Sequence, residues 1–173
     1  APLHGPVLKE NLGYYLDLYN TWSSYGVESE GVLVAFASIH GNTRKAAEKI
    51  ASILEKQGAK KVVVSDLSRD DEAEVIEDAF RYGRMIIAAP TYDGGLFPPM
   101  GSFLSHLKSK NYQKRTVGII ENGTWAPMSG KLMKAALESM KEIKICDTVV
   151  TIKSALKAEQ EDSLVALAKE VLA

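Results

Sequence analysis

The sequence predicts an α/β fold: a doubly wound, five-stranded parallel sheet with helices on both faces. Three observations predict it. Strand-like and helix-like segments alternate without a break from residue 31 to the end of the chain. The strand-like runs are continuously apolar instead of alternating, as strands covered on both faces require. The connections are short, which suits right-handed crossovers that place helices on either side of one sheet.

Each element has its own signal. Gly31-Val32-Leu33-Val34-Ala35-Phe36-Ala37 reads as the first strand. The helix after it, over 42–57, carries Ala47, Ile50, Ala51 and Leu54 on one stripe and stops at Gly58, a residue suited to a left-handed helix end. A second strand covers 61–65, and a helix over 70–82 turns Ala73, Ile76, Ala79 and Phe80 inward. Residues 85–89 form a third strand, and a helix over 99–108 is buried through Phe103, Leu104 and Leu107. The fourth strand, 115–121, is carried by Val117, Ile119 and Ile120. Leu132, Met133, Ala136, Leu137 and Met140 face inward from the next helix, 129–140. A fifth strand runs over 143–152 with a break expected at Asp147, and a helix over 159–172 closes the chain on Leu164, Leu167, Ala168, Val171 and Leu172.

Ahead of the sheet, residues 1–6 hold two prolines and a glycine and read as irregular chain. A helix over 9–25 follows, with Leu12, Tyr15, Leu16, Tyr19 and Trp22 at helical spacing, and this stripe requires something to pack on. Residues 26–30 are a short polar linker.

Composition narrows the function. At 173 residues the chain is one domain with a short appendage, with 46% hydrophobic and 25% charged residues. A net charge of -1 gives no electrostatic support for a nucleic-acid or anionic-membrane partner. No apolar run approaches the ~20 residues of a membrane span, and a cytoplasmic setting is expected. Cys146 is the sole cysteine, which excludes an internal disulfide and a cysteine-based metal cluster and suits a small buried hydrophobe.

The chemistry lies in three loops, each following a strand, where a doubly wound sheet binds its ligand. Ser38-Ile39-His40-Gly41-Asn42-Thr43 joins the first strand to a helix start. Two hydroxyls, an amide and unpaired backbone N–H groups meet there at the positive end of a helix dipole, which suits a phosphate. Neither the nucleoside-triphosphate loop nor the G-x-G-x-x-G fingerprint is present, while an ordinary helix cap would use the same Ser and Asn.

The second loop, Pro90-Thr91-Tyr92-Asp93-Gly94-Gly95, offers two glycines for close backbone approach and an aromatic hydroxyl, or else an ordinary turn closed by Pro98 and Pro99. The third, Asn122-Gly123-Thr124-Trp125, places a Trp in polar surroundings, where it covers a flat partner, an interface or the core. Flavin mononucleotide (FMN) fits all three loops at once. His40 is a ligand donor or a solvent-facing side chain, and His106 reads as a surface residue. Asp93, if close to the flavin, would disfavour an anionic reduced ring and lower its potential.

These residues resemble the flavodoxin family, and more specifically the flavodoxin-like domain of the flavodiiron proteins, over nearly the whole chain. Gly41-Asn42-Thr43 is similar to the ending of the family's phosphate loop. Ala89-Pro90-Thr91 through Gly95-Leu96-Phe97-Pro98-Pro99-Met100 is similar to its second flavin loop. The third loop departs from the family's Gly-Ser-Tyr-Gly-Trp-like sequence, with Asn122-Gly123-Thr124-Trp125 in its place. Leu3-His4-Gly5-Pro6 and the aromatic helix after it look like the junction with a preceding metallo-β-lactamase-like domain.

The resemblance implies a strand order of 2-1-3-4-5, a linker and helix over 1–30 and an FMN-binding domain over 31–173. His4 then matches the last ligand of a di-iron centre whose other ligands, including an H-x-E-x-D-H motif, are absent from this chain, which reads as a fragment of a longer protein. The implied role is electron transfer from rubredoxin or a flavin/NADH reductase to that centre, which reduces oxygen or nitric oxide in a head-to-tail homodimer. No catalytic residue is assigned to this domain. A free-standing FMN-dependent quinone or NAD(P)H oxidoreductase is the alternative. A receiver-like signalling domain lacks support, because Ser38-Ile39-His40 stands where its acidic cluster belongs.

Overall fold

The computed structural model describes residues 1 and 3–173. Five long strands, β1 (Ser29–Phe36), β2 (Val62–Asp66), β3 (Tyr82–Tyr92), β5 (Gln113–Asn122) and β6 (Lys141–Ile152), pair in parallel in the order β2-β1-β3-β5-β6. This is the 2-1-3-4-5 order of a flavodoxin-like sheet. A two-residue strand, β4 (Gly95–Leu96), pairs antiparallel with the end of β3 and was not anticipated.

The continuous apolar runs are explained by two cores. From β1, Val32, Val34 and Phe36 face α2 (Asn42–Lys56) and α6 (Glu161–Leu172), joining Ile50, Leu54, Leu164, Leu167 and Val171. Leu33, Ala35 and Ala37 point the other way, into a core with Phe103, Leu107, Met133 and Leu137 from α4 (Pro98–Ser109) and α5 (Ser129–Glu138). α3 (Glu72–Arg81) closes that second face. Each fully buried Val, Leu, Ile or Phe contributes roughly 1.5–3 kcal/mol, so the sheet's two faces supply most of the driving force.

The differences from the sequence reading have local causes. Asp71 caps α3 by accepting the Ala73 amide at 2.8 Å. This sets Val75 and Ala79 inward and leaves Ala73 exposed. Tyr82 ends that helix by entering β3, with its ring lying where a Cβ on Gly31 would collide at 2.7 Å. β6 is not broken at Asp147 but bulges. Val117 pairs with Ile145 and Ile119 with Val149, so three residues of β6 stand opposite Gly118. Glu170 of α6 holds the bulge by accepting the Thr148 amide at 3.0 Å and the Thr148 hydroxyl.

The N-terminal helix α1 (Leu12–Ser23) is shorter than predicted and buries none of its residues. Leu12, Tyr15, Leu16, Tyr19 and Trp22, the stripe that requires a neighbour, are all exposed. Its C-terminal end is tethered to the sheet. Trp22 Nε1 donates to Glu28 at 2.8 Å, and Lys114 Nζ donates to the Ser24 carbonyl at 3.1 Å. The buried Arg115 guanidinium donates to the carbonyls of Tyr25, Gly26 and Phe80.

Candidate functional site

Strand β1 ends at Phe36, and the chain turns over two hydrogen bonds before α2 begins. The Ala37 amide donates to Ala88 O at 2.9 Å, and the Gly41 amide donates to Ser38 Oγ at 3.0 Å. Gly41 occupies the left-handed region at φ 83°, which costs glycine little and a β-carbon more. The first-turn N–H groups of α2 have no intrahelical acceptor and present a partial positive charge. Thr43 lies in that turn with only 2% of its surface exposed.

The second loop is a tight hairpin. Tyr92 pairs with Gly95, and the intervening Asp93 and Gly94 adopt φ 49° and 68°, the signature of an Asp-Gly two-residue turn. The conformational freedom expected of the Gly94-Gly95 pair is therefore used at Asp93 and Gly94. The Tyr92 ring stacks obliquely on Phe97, with centroids 5.6 Å apart.

The third loop is fixed from below. Thr91 Oγ1 accepts the amides of Met128 and Ser129 at 2.8 and 3.1 Å. Glu121 Oε2 accepts the Gly130 amide at 2.9 Å. Three of the otherwise orphaned N–H groups at the start of α5 are thus satisfied by β3 and β5. Gly123 has no room for a side chain, since a Cβ there would lie 2.9 Å from Pro127. Trp125 is 97% exposed and covers neither the core nor a neighbour.

These loops meet in a groove of ≈ 310 Å³ at the carboxyl ends of the strands. It is lined by Ser38, Ile39, His40, Asn42, Thr43, Pro90, Thr91, Asn122, Gly123, Thr124, Trp125 and Ser154. Gly41 lines an adjoining recess with Arg44 and Arg69. Tyr92, Asp93, Gly94 and Gly95 stand outside the lining of the groove. Ser154, in the loop after β6, was missed by sequence reasoning. The available signal was its place just past the carboxyl end of a strand.

Asn122 is nearly buried and ties three loops together. Its Nδ2 donates to Ser154 O at 2.9 Å and to Thr43 Oγ1 at 3.4 Å, while its Oδ1 accepts the Ser154 amide at 3.0 Å. His4 lies exposed in the N-terminal segment. Among the described residues no group of three or more His, Cys, Asp or Glu is arranged to hold a metal, and no helix is long and apolar enough to cross a membrane.

A larger crevice of ≈ 440 Å³ lies at the amino ends of the strands, between the turn after α1 and the sheet. Its Arg81 is paired with Glu28, Glu77 and Asp78, and its Arg115 is held by carbonyls. The groove at the carboxyl ends has the chemistry instead, because its hydroxyls and helix N-terminus present donors to open space. The groups whose proton affinity burial shifts most, Tyr112 and Cys146 upward and Arg115 downward, lie away from it.

The sheet order, the hydroxyl-bearing loop at a helix start and the groove at the reversal of strand order define a doubly wound α/β domain with an anion-receptive site. Residues 33–159 match the flavodoxin domain family, and the chain belongs to it. It is 30% identical over 114 residues to the coenzyme F420H(2) oxidase of Methanothermobacter marburgensis, covering 66% of this chain and 28% of that protein. Over 150 residues it is 21% identical to the anaerobic nitric oxide reductase flavorubredoxin of Escherichia coli, covering 83% of this chain and 31% of that one. The chain thus spans about 30% of the length of these relatives.

Among solved structures, the rubredoxin oxygen:oxidoreductase of Desulfovibrio gigas shares the fold with a TM-score of 0.85 at 18% identity, over 92% of this chain and 39% of that one. Oxidised flavodoxin 1 of Bacillus cereus shares it with a TM-score of 0.70 at 18% identity, over 82% of this chain and 97% of that one.

Proposed function

We propose that residues 31–173 form an FMN-binding electron-transfer domain and that residues 1–30 link it to a further domain. In this reading electrons pass from rubredoxin or a flavin/NADH reductase to a di-iron site carried by that domain, which reduces oxygen or nitric oxide. The observation that carries the cofactor assignment is the groove itself. In a flavodoxin-family chain, hydroxyls from several loops and the N-terminus of α2 converge at the carboxyl ends of the strands. His4 would join a metal site only with ligands from another domain, and a homodimer would bring the flavin of one chain near the iron of the next. The nitric oxide reductase activity of the flavorubredoxin and the rubredoxin:oxygen activity of the Desulfovibrio gigas protein support this direction of electron flow.

FMN, when bound, supplies redox chemistry that takes two electrons and releases them one at a time. The chain's residues need only bind and orient it. Ser38, Thr43 and the first-turn amides of α2 would hold the phosphate, where donors and dipole both favour negative charge. Gly123 lets the third loop pack directly on Pro127 and Thr91, where a side chain would not fit. Thr91 would donate from the floor of the groove, with Thr124 and Trp125 along its rim. Tyr92 and Asp93 would meet the ring only from beyond the groove wall. No side chain is required as acid, base or nucleophile.

The test is an absorption titration of the purified chain with FMN, followed by stepwise reduction with dithionite. Saturable binding at micromolar FMN, abolished in the Ser38→Ala, Thr43→Ala double variant, is the expected result. A folded chain that leaves FMN free at that concentration overturns the reading, and NAD(P)H-driven quinone reduction by this chain alone would favour the free-standing oxidoreductase.

A further inference from the structure

Five hydroxyl side chains line the groove, and four of them, all but Thr124, already accept a hydrogen bond from the chain. Ser38 Oγ accepts from the Gly41 amide, Thr43 Oγ1 from Asn122 Nδ2, Ser154 Oγ from Asn42 Nδ2 at 3.3 Å, and Thr91 Oγ1 from two amides. None of the four O–H groups donates to an acceptor among the described residues. A hydroxyl that accepts from the chain keeps its own hydrogen to offer, and for Thr91, with both lone pairs engaged, that hydrogen is all that remains. Thr43 is only 2% exposed and lines the groove, so the groove is where its unused donor can find an acceptor. The groove therefore offers a set of unused donors, which suits an acceptor-only dianion.

Asn122 enforces this polarity. The Ser154 amide can bond only to the carbonyl oxygen of the Asn122 side chain, which fixes the orientation of that amide and turns Nδ2 toward Thr43. The same two-way clasp, Nδ2 to Ser154 O and Oδ1 from Ser154 N, holds Ser154 in the left-handed region at φ 68°, unusual for a residue with a β-carbon. Resting on the flavin reading above, we propose that Asn122 is a positioning residue. It sets Thr43 and Ser154 as donors to the ligand's phosphate, with Ser154 as a phosphate contact from a fourth loop, so that the site selects phosphorylated over unphosphorylated flavin.

An aspartate at 122 has the same shape but the opposite effect. Its second oxygen would accept from Thr43, turning that O–H away from the groove, and its charge would face the phosphate. FMN and riboflavin are bound separately to the 173-residue chain, to Asn122→Asp, to Asn122→Ala and to Ser154→Ala, by quenching of flavin fluorescence. Losing hydrogen bonds to a charged group predicts FMN affinity down roughly 100-fold in Asn122→Asp and roughly 10-fold in Ser154→Ala, with riboflavin affinity changed less than about threefold.

A merely structural role would weaken both flavins in equal proportion, and that result, or no loss at all, overturns the proposal. Should Asn122→Asp fail to fold, Asn122→Ala and Ser154→Ala report the same FMN-to-riboflavin ratio. Wild-type chain that binds neither flavin refutes the underlying cofactor assignment. Wild-type chain that binds FMN, with a ratio unmoved in the variants, refutes the role of Asn122 and Ser154 alone.

Discussion

Replacing Thr91 with Val keeps the shape of the side chain and removes one oxygen. That oxygen accepts two N–H groups at the start of α5, from Met128 at 2.8 Å and Ser129 at 3.1 Å. Both are partly buried, and no other acceptor for either is present among the described residues. A helix-capping bond is worth about 1 kcal/mol, and a buried donor left without a partner costs about 1–3 kcal/mol. Two such bonds predict a loss of roughly 2 kcal/mol, with the Gly130 amide still held by Glu121. For a chain of 173 residues this lowers Tm by about 4–8 °C.

The assay is urea and thermal unfolding of Thr91→Val followed by circular dichroism, with Thr91→Ser alongside. The serine variant keeps the acceptor and should recover most of the stability. Thr91→Val should also weaken FMN binding, because the Met128 and Ser129 amides anchor the end of the third loop. A valine variant within about 0.5 kcal/mol of wild type would show that these bonds do not hold the loop, and the account of how β3 fixes the groove would fall with it.

Arg115→Met should cost roughly 2–4 kcal/mol in urea unfolding, since it strands the carbonyls of Tyr25, Gly26 and Phe80 that the buried guanidinium serves. It should also speed amide hydrogen exchange in the turn after α1, and unchanged exchange there would rule out the tether. Glu170 accepts from the Thr148 hydroxyl and amide, and these bonds hold its carboxyl below the usual value of 4.5. A carboxyl lowered in the folded state stabilises above its unfolded value and loses that contribution as pH falls through the folded one. The stability gap between wild type and Glu170→Gln should therefore be full at pH 7 and shrink on acidification below 4.5; a gap unchanged at about pH 3 refutes the assignment.

The alternation of strands and helices and the two-sided core were legible in the sequence because each rests on local pattern, whereas the strand order followed from the family resemblance. Apolar runs such as residues 32–37 need both faces covered, and Gly41-Asn42-Thr43 marks a helix start whatever lies around it. Contacts distant in sequence were not legible. Ser154 enters the groove because Asn122, 32 residues away, clasps its backbone. Thr91 serves as the cap of a helix 38 residues further along the chain, a role its own surroundings do not announce. Ala73 and Val75 exchanged places because a single capping bond from Asp71 set the phase of the helix.

The apolar stripe of α1 was also read correctly as a stripe, yet only the tertiary structure shows that the flavodoxin fold leaves it exposed. Periodicity reports which face of a helix is apolar, and only packing decides what lies against it. In the same way, sequence alone named hydroxyls for a phosphate. Which of their hydrogens remain free to meet one was decided by the folded chain, through the bonds those hydroxyls already make.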